Sequence, residues 1–209
     1  MNSITDIRQL DFSRSYTYAD YLTWQFRERV ELIMGKLFKM SPAPSSQHQH
    51  IVSILTSAFF QFLKGTPCAV FPAPFDVVLQ MGSHADTVVQ PDLTVVCDRS
   101  KITTQGCMGS PDLVVEVVSE SSVKHDLHEK FQVYEQAGVR EYWVIHPTDK
   151  SLIKFVLNQA GKYEPSKPLT RGDIVVSTTL PGFQMDLNEL FSDIVAEPEV
   201  DYELNIRRI

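Results

Sequence analysis

The spacing of apolar residues changes period several times along this chain, and each change marks an element. In TYADYLTWQFRER at 17–29, Tyr18, Tyr21, Leu22 and Phe26 form a stripe behind a Thr17 cap, with Asp20 in the first turn. That pattern predicts a helix. VELIMGKLFKM at 30–40 alternates around Gly35 and predicts a hairpin. SPAPSSQHQ at 41–49 is a loop that ends in a helix start. Residues 48–63 are amphipathic to nearly all apolar and predict the most buried helix, stopped by Gly65 and Pro67.

Short apolar runs follow and predict strands at 69–71, 75–80, 91–97 and 111–118, with a loop over 81–89 and a glycine-containing loop before 111. Val123, Leu127, Phe131 and Tyr134 share one helical face, so 122–137 predicts a helix, closed by Gly138. A strand at 141–146, a hairpin over 151–165 turning at 158–161, a strand at 173–178 and a turn with a short helical segment at 180–191 complete the chain. Strand, helix and strand in this order predict an α/β (α+β) core, a mixed sheet flanked by helices. One domain over 1–196 is expected, with a loosely held C-terminal tail over 197–209.

Composition narrows this picture. The 209 residues are 43% hydrophobic and 22% charged, which suits one folded domain. Apolar stretches such as IVSILTSAFFQFL are too short and too polar to span a bilayer. The N-terminus lacks a basic region and an apolar core, so no signal peptide and a cytoplasmic location are expected. Cys68, Cys97 and Cys107 have no CxxC spacing and fit reduced thiols. A net charge of −7 argues against a large non-specific nucleic-acid surface, but not against a local basic cleft.

Two stretches raise the question of chemistry: QPDLTVV at 90–96 and SPDLVVEVV at 110–118. Asp112 and Glu116 share a strand face but lie about 13 Å apart at about 3.3 Å per residue. They cannot share a Mg²⁺ whose ligands sit at about 2.1 Å. Asp112 is therefore the turn residue. Glu116 needs a partner from a strand about 4.8 Å away, and Asp92 is the natural one. A carboxylate inside LVVEVV is costly unless it is paired or metal-bound. Lys130 lies next to the apolar stripe of the 122–137 helix and faces the sheet, where it could orient a water and stabilise a phosphate. Asp126 and Lys130 also form an i, i+4 ion pair. Three plainer readings stay open. Asp92 could be a strand cap, Glu116 and Lys130 a structural ion pair, and Lys130 a snorkelling side chain. Of the six histidines, His48 and His50 point to different sides of a helix, and His125 and His128 fall on an outer face, so no zinc site is expected.

The run PDLVVEVVSESSVKHDLHEKFQVYEQAGVREYWVIHP resembles the signature of the Uma-two family of restriction-endonuclease-like proteins, in the PD-(D/E)XK nuclease superfamily. The likeness extends through VELIMGKLFKMSP, His50, FDVVL, QPDLTVV and LPGFQMDLNELF, and covers roughly residues 16–192. The resemblance implies a restriction-endonuclease-like fold and makes Asp92 the PD aspartate and Glu116 the acidic residue of the second element. The usual lysine two positions on is absent, since Val118 stands there, and the resemblance implies that Lys130 replaces it. Glu31 matches an additional glutamate beside the metal, and Ser119, Asp126 and Tyr134 fit the family pattern. His146 stands where such sequences commonly have Asp. The implied activity is a Mg²⁺- or Mn²⁺-dependent endonuclease that cuts DNA, with Asp92 and Glu116 as metal ligands and a homodimer by analogy. The alternative is a catalytically inactive binding or assembly module.

Overall fold

Segments buried at every position, such as LTVV at 93–96, require that both faces of their sheet be covered. Here a helix covers one face, and a second sheet with another helix covers the other. The computed structural model describes residues 3–40, 44–81, 84–118 and 125–192. In chain order, α1 (Tyr18–Tyr21) precedes the hairpin β1 (Val30–Ile33) and β2 (Lys36–Lys39), and then comes α2 (Ser46–Phe62). Next are β3 (Ala69–Pro72), β4 (Val77–Met81), β5 (His84–Val89), β6 (Leu93–Val96), β7 (Cys107–Met108) and β8 (Leu113–Val117). A π-helical turn over His125–Lys130 runs into α3 (Phe131–Ala137). β9 (Glu141–His146), β10 (Ser151–Leu157), β11 (Tyr163–Pro165), β12 (Leu169–Thr170), β13 (Ile174–Val176), β14 (Gln184–Asp186) and α4 (Leu187–Leu190) follow.

The larger sheet has the order β11-β10-β9-β8-β6-β3, with β12 beside β10. At its centre β8 runs parallel to β9 and antiparallel to β6. Leu93, Val95, Leu113, Val115, Val117, Trp143 and Ile145 face α2, where Ile51, Leu55 and Phe59 are buried against them. Each such side chain contributes on the order of 1.5–3 kcal/mol. The alternate residues Val96, Val114, Val118, Tyr142 and Val144 face α3 and the smaller sheet, β2-β1-β5-β4-β7. The N-terminal aromatics Tyr16, Tyr18, Tyr21, Trp24 and Phe26 pack with Leu32, Val78 and Val88 on the far face of that smaller sheet.

The mixed α+β fold, the 30–40 hairpin, the long helix α2 and Gly138 in the left-handed conformation after α3 (φ 82°) agree with the pattern of the sequence, although α2 buries one face only, through Ile51, Val52, Leu55 and Phe59. Other expectations fail for physical reasons. The helix over 17–29 stops at Tyr21, although Thr17 caps it as expected and forms a capping box with Asp20. Beyond it, Thr23 and Gln25 bond to the backbone of Ile4, and Leu22 is exposed. Residues 81–89 do not form a loop. β5 pairs with both β4 and β1, and buries Thr87, Val88 and Val89.

The expectation of three reduced thiols fails as well, because Cys68 and Cys97 are disulfide-bonded. The β3–β6 register, Ala69 opposite Val96, continued by one step, sets these two cysteines opposite each other. Only Cys107 is a free thiol, and it is buried. The 197–209 tail, Val123 and Ser119 lie outside the described residues, as do the side chains of His125, Asp126 and Leu127. Among the described residues no helix is long and apolar enough to cross a membrane.

Candidate active site

Register brings the two candidate carboxylates together. Leu93 stands opposite Val115, and Thr94 opposite Val114. One further step sets Asp92 opposite Glu116, a relation that puts Cα atoms about 4.5–5.5 Å apart. Glu116 shares its face with Val114 and Val118, which look toward α3 and the smaller sheet. From that sheet, β1 sends Glu31 and Ile33 inward, while Leu32 points into the N-terminal layer. Glu31 and Glu116 therefore approach from two sheets, with the π-helical turn of residues 125–130 presenting Lys130 to both.

Glu31, Glu116 and Lys130 are 2%, 3% and 3% exposed. Lys130 Nζ lies 2.9 Å from Glu31 Oε1 and 3.0 Å from Glu116 Oε1. The ammonium is buried between two carboxylates and does not snorkel. Tyr134, one turn further on in α3, donates its hydroxyl to Glu116 Oε1 at 2.8 Å. Its ring packs edge-on against Tyr142 with centroids 5.1 Å apart. Burial, with the neighbouring Glu116 second, pushes the Tyr134 phenol well above its ordinary value, so it stays protonated and remains a donor. The backbone N–H of Gln90 donates to Glu31 Oε1 at 2.8 Å. Three buried charges held this way are stable only as a set.

Asp92 sits at the edge of this group with its side chain 22% exposed. Its Oδ2 accepts the N–H of Val117 at 2.8 Å and lies 3.1 Å from His48 Nε2. Sequence reasoning missed His48, because it tested the His48–His50 pair only for mutual chelation. The signal available was its place at the start of the long helix α2. His50 reaches Ser192 Oγ instead, at 3.1 Å.

Asp112 is remote from the set and structural, as expected. It accepts the N–H of Cys97 at 2.5 Å and pairs with Arg140. The position two residues past Glu116 carries no polar group, since Val118 is buried in the core. His128 is exposed, as expected for an outer helical face. His146 lies at the end of β9, half-buried and opposite Ser151.

A second buried carboxylate has a structural task. Glu141 receives Trp143 Nε1 at 2.7 Å, Ser177 Oγ at 2.9 Å, and the N–H groups of Thr178 and Thr179 at 2.9 and 2.7 Å. It pins residues 177–179 to β9.

Among the described residues no group of three or more His, Cys, Asp and Glu side chains is assembled as a metal centre. The donor chemistry of Asp92 and Glu116 nevertheless fits a hard divalent cation. Both offer carboxylate oxygens, they occupy facing strand positions, and Mg²⁺ is commonly held by one or two carboxylates with water and phosphate completing its shell.

Residues 18–188 match the family model described as "Uma2: Putative restriction endonuclease". An uncharacterised protein of Synechocystis sp., slr1290, is 28% identical over 148 residues, which is 69% of this chain and 75% of that protein. A crystal structure from Anabaena variabilis, described as a putative nuclease belonging to DUF820, superposes with a TM-score of 0.66. It shares 19% identity and covers 85% of this chain and 98% of its own, a likeness of fold. With the family model spanning nearly the whole α+β unit that holds Glu31, Asp92, Glu116 and Lys130, the chain belongs to the Uma2 family.

Proposed function

We propose that this chain is a metal-dependent endonuclease that hydrolyses phosphodiester bonds of DNA. The observation that carries the reading is the buried Lys130–Glu116 contact at 3.0 Å, on the strand position facing Asp92. Asp92 and Glu116 would hold Mg²⁺ or Mn²⁺, with Glu31 as a further acidic group. A bound ion of this kind polarises the scissile phosphate and lowers the pKa of a coordinated water.

The chain's own residues supply position and charge. Glu31 steadies Lys130 from the side opposite Glu116, so the ammonium is pre-oriented and need not be ordered during the reaction. There it can orient the attacking water and offset the negative charge that develops on the phosphate. Tyr134 holds Glu116 Oε1 from the helix, which fixes the carboxylate. Hydrolysis forms one P–O bond from the water and breaks one ester P–O bond, and the leaving oxygen takes a proton. The family name supports nucleic acid as substrate.

The test is nicking of supercoiled plasmid with and without Mn²⁺. Metal-dependent nicking that is lost in Glu116→Ala is expected. No metal-dependent nicking, or nicking unchanged in that variant, overturns the reading.

One observation favours the second reading, an inactive binding module. Lys130 bridges Glu31 and Glu116 and offsets one of their two charges without any ligand. Calorimetric titration with Mn²⁺ separates the two, because a purely structural set gives no heat that depends on Asp92 and Glu116.

A further inference from the structure

His48 has a contact that its place in α2 makes rigid. Ser45 caps the helix and accepts the His48 N–H at 3.2 Å. Ile51, Leu55 and Phe59 are buried against the larger sheet, so the helix cannot roll. The side chain of His48 is 14% exposed, and its Nε2 lies 3.1 Å from Asp92 Oδ2. An ionised carboxylate can only accept, so Nε2 carries the proton. Nδ1 is buried and has no hydrogen-bond partner among the described residues. The ring's one hydrogen bond there goes to Asp92. A histidine kept for packing would gain by satisfying both nitrogens.

The two oxygens of Asp92 are consequently unlike. Oδ2 takes two donors, Val117 N–H and His48 Nε2–H. Oδ1 has no hydrogen bond among the described residues. We infer that His48 is a positioning residue for Asp92. It locks Oδ2 together with Val117, and leaves Oδ1 as the oxygen that takes a divalent cation. α2 thus sets one carboxylate of the facing pair, while Lys130 and Tyr134 set the other from the opposite side of the sheet. This inference rests on the proposed metal-dependent reading, and it adds a residue that contacts neither phosphate nor ion.

The experiment is calorimetric titration of the full chain with Mn²⁺, for wild type, H48F and H48Q, with urea unfolding of each in metal-free buffer. H48F keeps a ring and removes the donor. H48Q places an amide N–H at the same number of bonds from the backbone. Loss of an outer partner of a metal ligand typically lowers affinity about 10- to 100-fold. H48F is expected to bind Mn²⁺ at least tenfold more weakly, and H48Q to recover most of that loss. Should H48F not fold, H48M makes the same comparison. Wild-type affinity in H48F, or H48Q as weak as H48F, overturns the role of His48 while the metal site stands. If wild-type binding does not depend on Asp92 and Glu116, the nuclease reading falls and this inference with it.

Discussion

Asp92 and Asp112 do the same backbone job at the two ends of the β6–β8 pair. Asp92 accepts the N–H of Val117, and Asp112 accepts the N–H of Cys97. In the β6–β8 register, Val117 faces Pro91 and Cys97 faces Pro111. Each aspartate therefore satisfies the N–H opposite its own preceding proline, where the ladder stops. The likeness of QPDLTVV and SPDLVVEVV is a local two-fold of strand caps. Their second partners differ: Asp112 meets Arg140 near the surface, whereas Asp92 meets His48 and faces Glu116.

This relationship predicts a split between stability and metal binding. Asp112→Ala and Asp92→Ala each leave a backbone N–H without its acceptor, at a cost of about 1–3 kcal/mol. Urea unfolding should show a loss of that size in both. Mn²⁺ titration should be unchanged in Asp112→Ala and lost in Asp92→Ala. An equal loss of Mn²⁺ binding in both variants would mean that the two caps share more than a backbone role.

Much of the site was legible in the sequence because it obeys strand periodicity. A carboxylate inside LVVEVV demanded a partner, and a Pro-Asp step opening the preceding strand offered one. Lys130 sat beside the apolar stripe of its helix and so faced the sheet. What was not legible depends on pairing between distant strands. β5 reads as a loop because His84 and Asp86 break its apolar pattern, and its burial comes from β1 and β4 on either side. Without β5 in place, nothing in the residues themselves puts Glu31 next to Glu116, and only the family resemblance suggested it. The Cys68–Cys97 bond follows from the β3–β6 register, which a separation of 29 residues does not reveal. The helix over 17–29 was overextended because its aromatic stripe is shared by a loop that folds back on Ile4.

That disulfide gives a count. In denaturant without reductant, one thiol per chain, Cys107, should react with a colorimetric disulfide reagent; after reduction, three should. In the native protein at about pH 8, Cys107 should react slowly, since burial shields the thiol and raises its pKa to about 11. Three reactive thiols in unreduced, denatured protein would show that the cross-strand bond does not form in solution.

Three tyrosines, Tyr134 and Tyr163 buried and Tyr21 half-buried, set the alkaline limit. Burial raises the phenols of Tyr21, Tyr134 and Tyr163 above their ordinary value. Above about pH 10 the unfolded chain gives up protons that the folded chain retains, so stability falls as pH rises. Below that pH these groups contribute no slope. Each contributes up to about 1.4 kcal/mol per pH unit. Tyr163 donates to Val139 O at 2.8 Å, far in sequence from the carboxylates. Tyr163→Phe should therefore flatten the fall of the urea midpoint between about pH 10 and 12 without touching Mn²⁺ binding. An unchanged alkaline slope in Tyr163→Phe would contradict the buried phenol.

Lys130 should be needed for the fold before it is needed for any reaction. Lys130→Met keeps the length and apolar stem but removes the ammonium between Glu31 and Glu116. Breaking a buried ion pair from one side costs about 3–5 kcal/mol, because the remaining charge stays desolvated. The hydrogen bonds from Gln90 N–H and Tyr134 lessen that cost and do not cancel it. Two further measurements follow from the same electrostatics. Adding Glu31→Gln to Lys130→Met removes one of the two stranded carboxylates, so the double variant should be more stable than the sum of the two single losses. Saturating Mn²⁺ should restore part of the stability of Lys130→Met, since a divalent ion at Glu116 replaces the missing positive charge and binds only the folded chain. Urea unfolding of the four proteins, with and without Mn²⁺, measures both effects. Strict additivity together with no rescue by Mn²⁺ would show that Lys130 does not bridge the two carboxylates and that no ion takes its place.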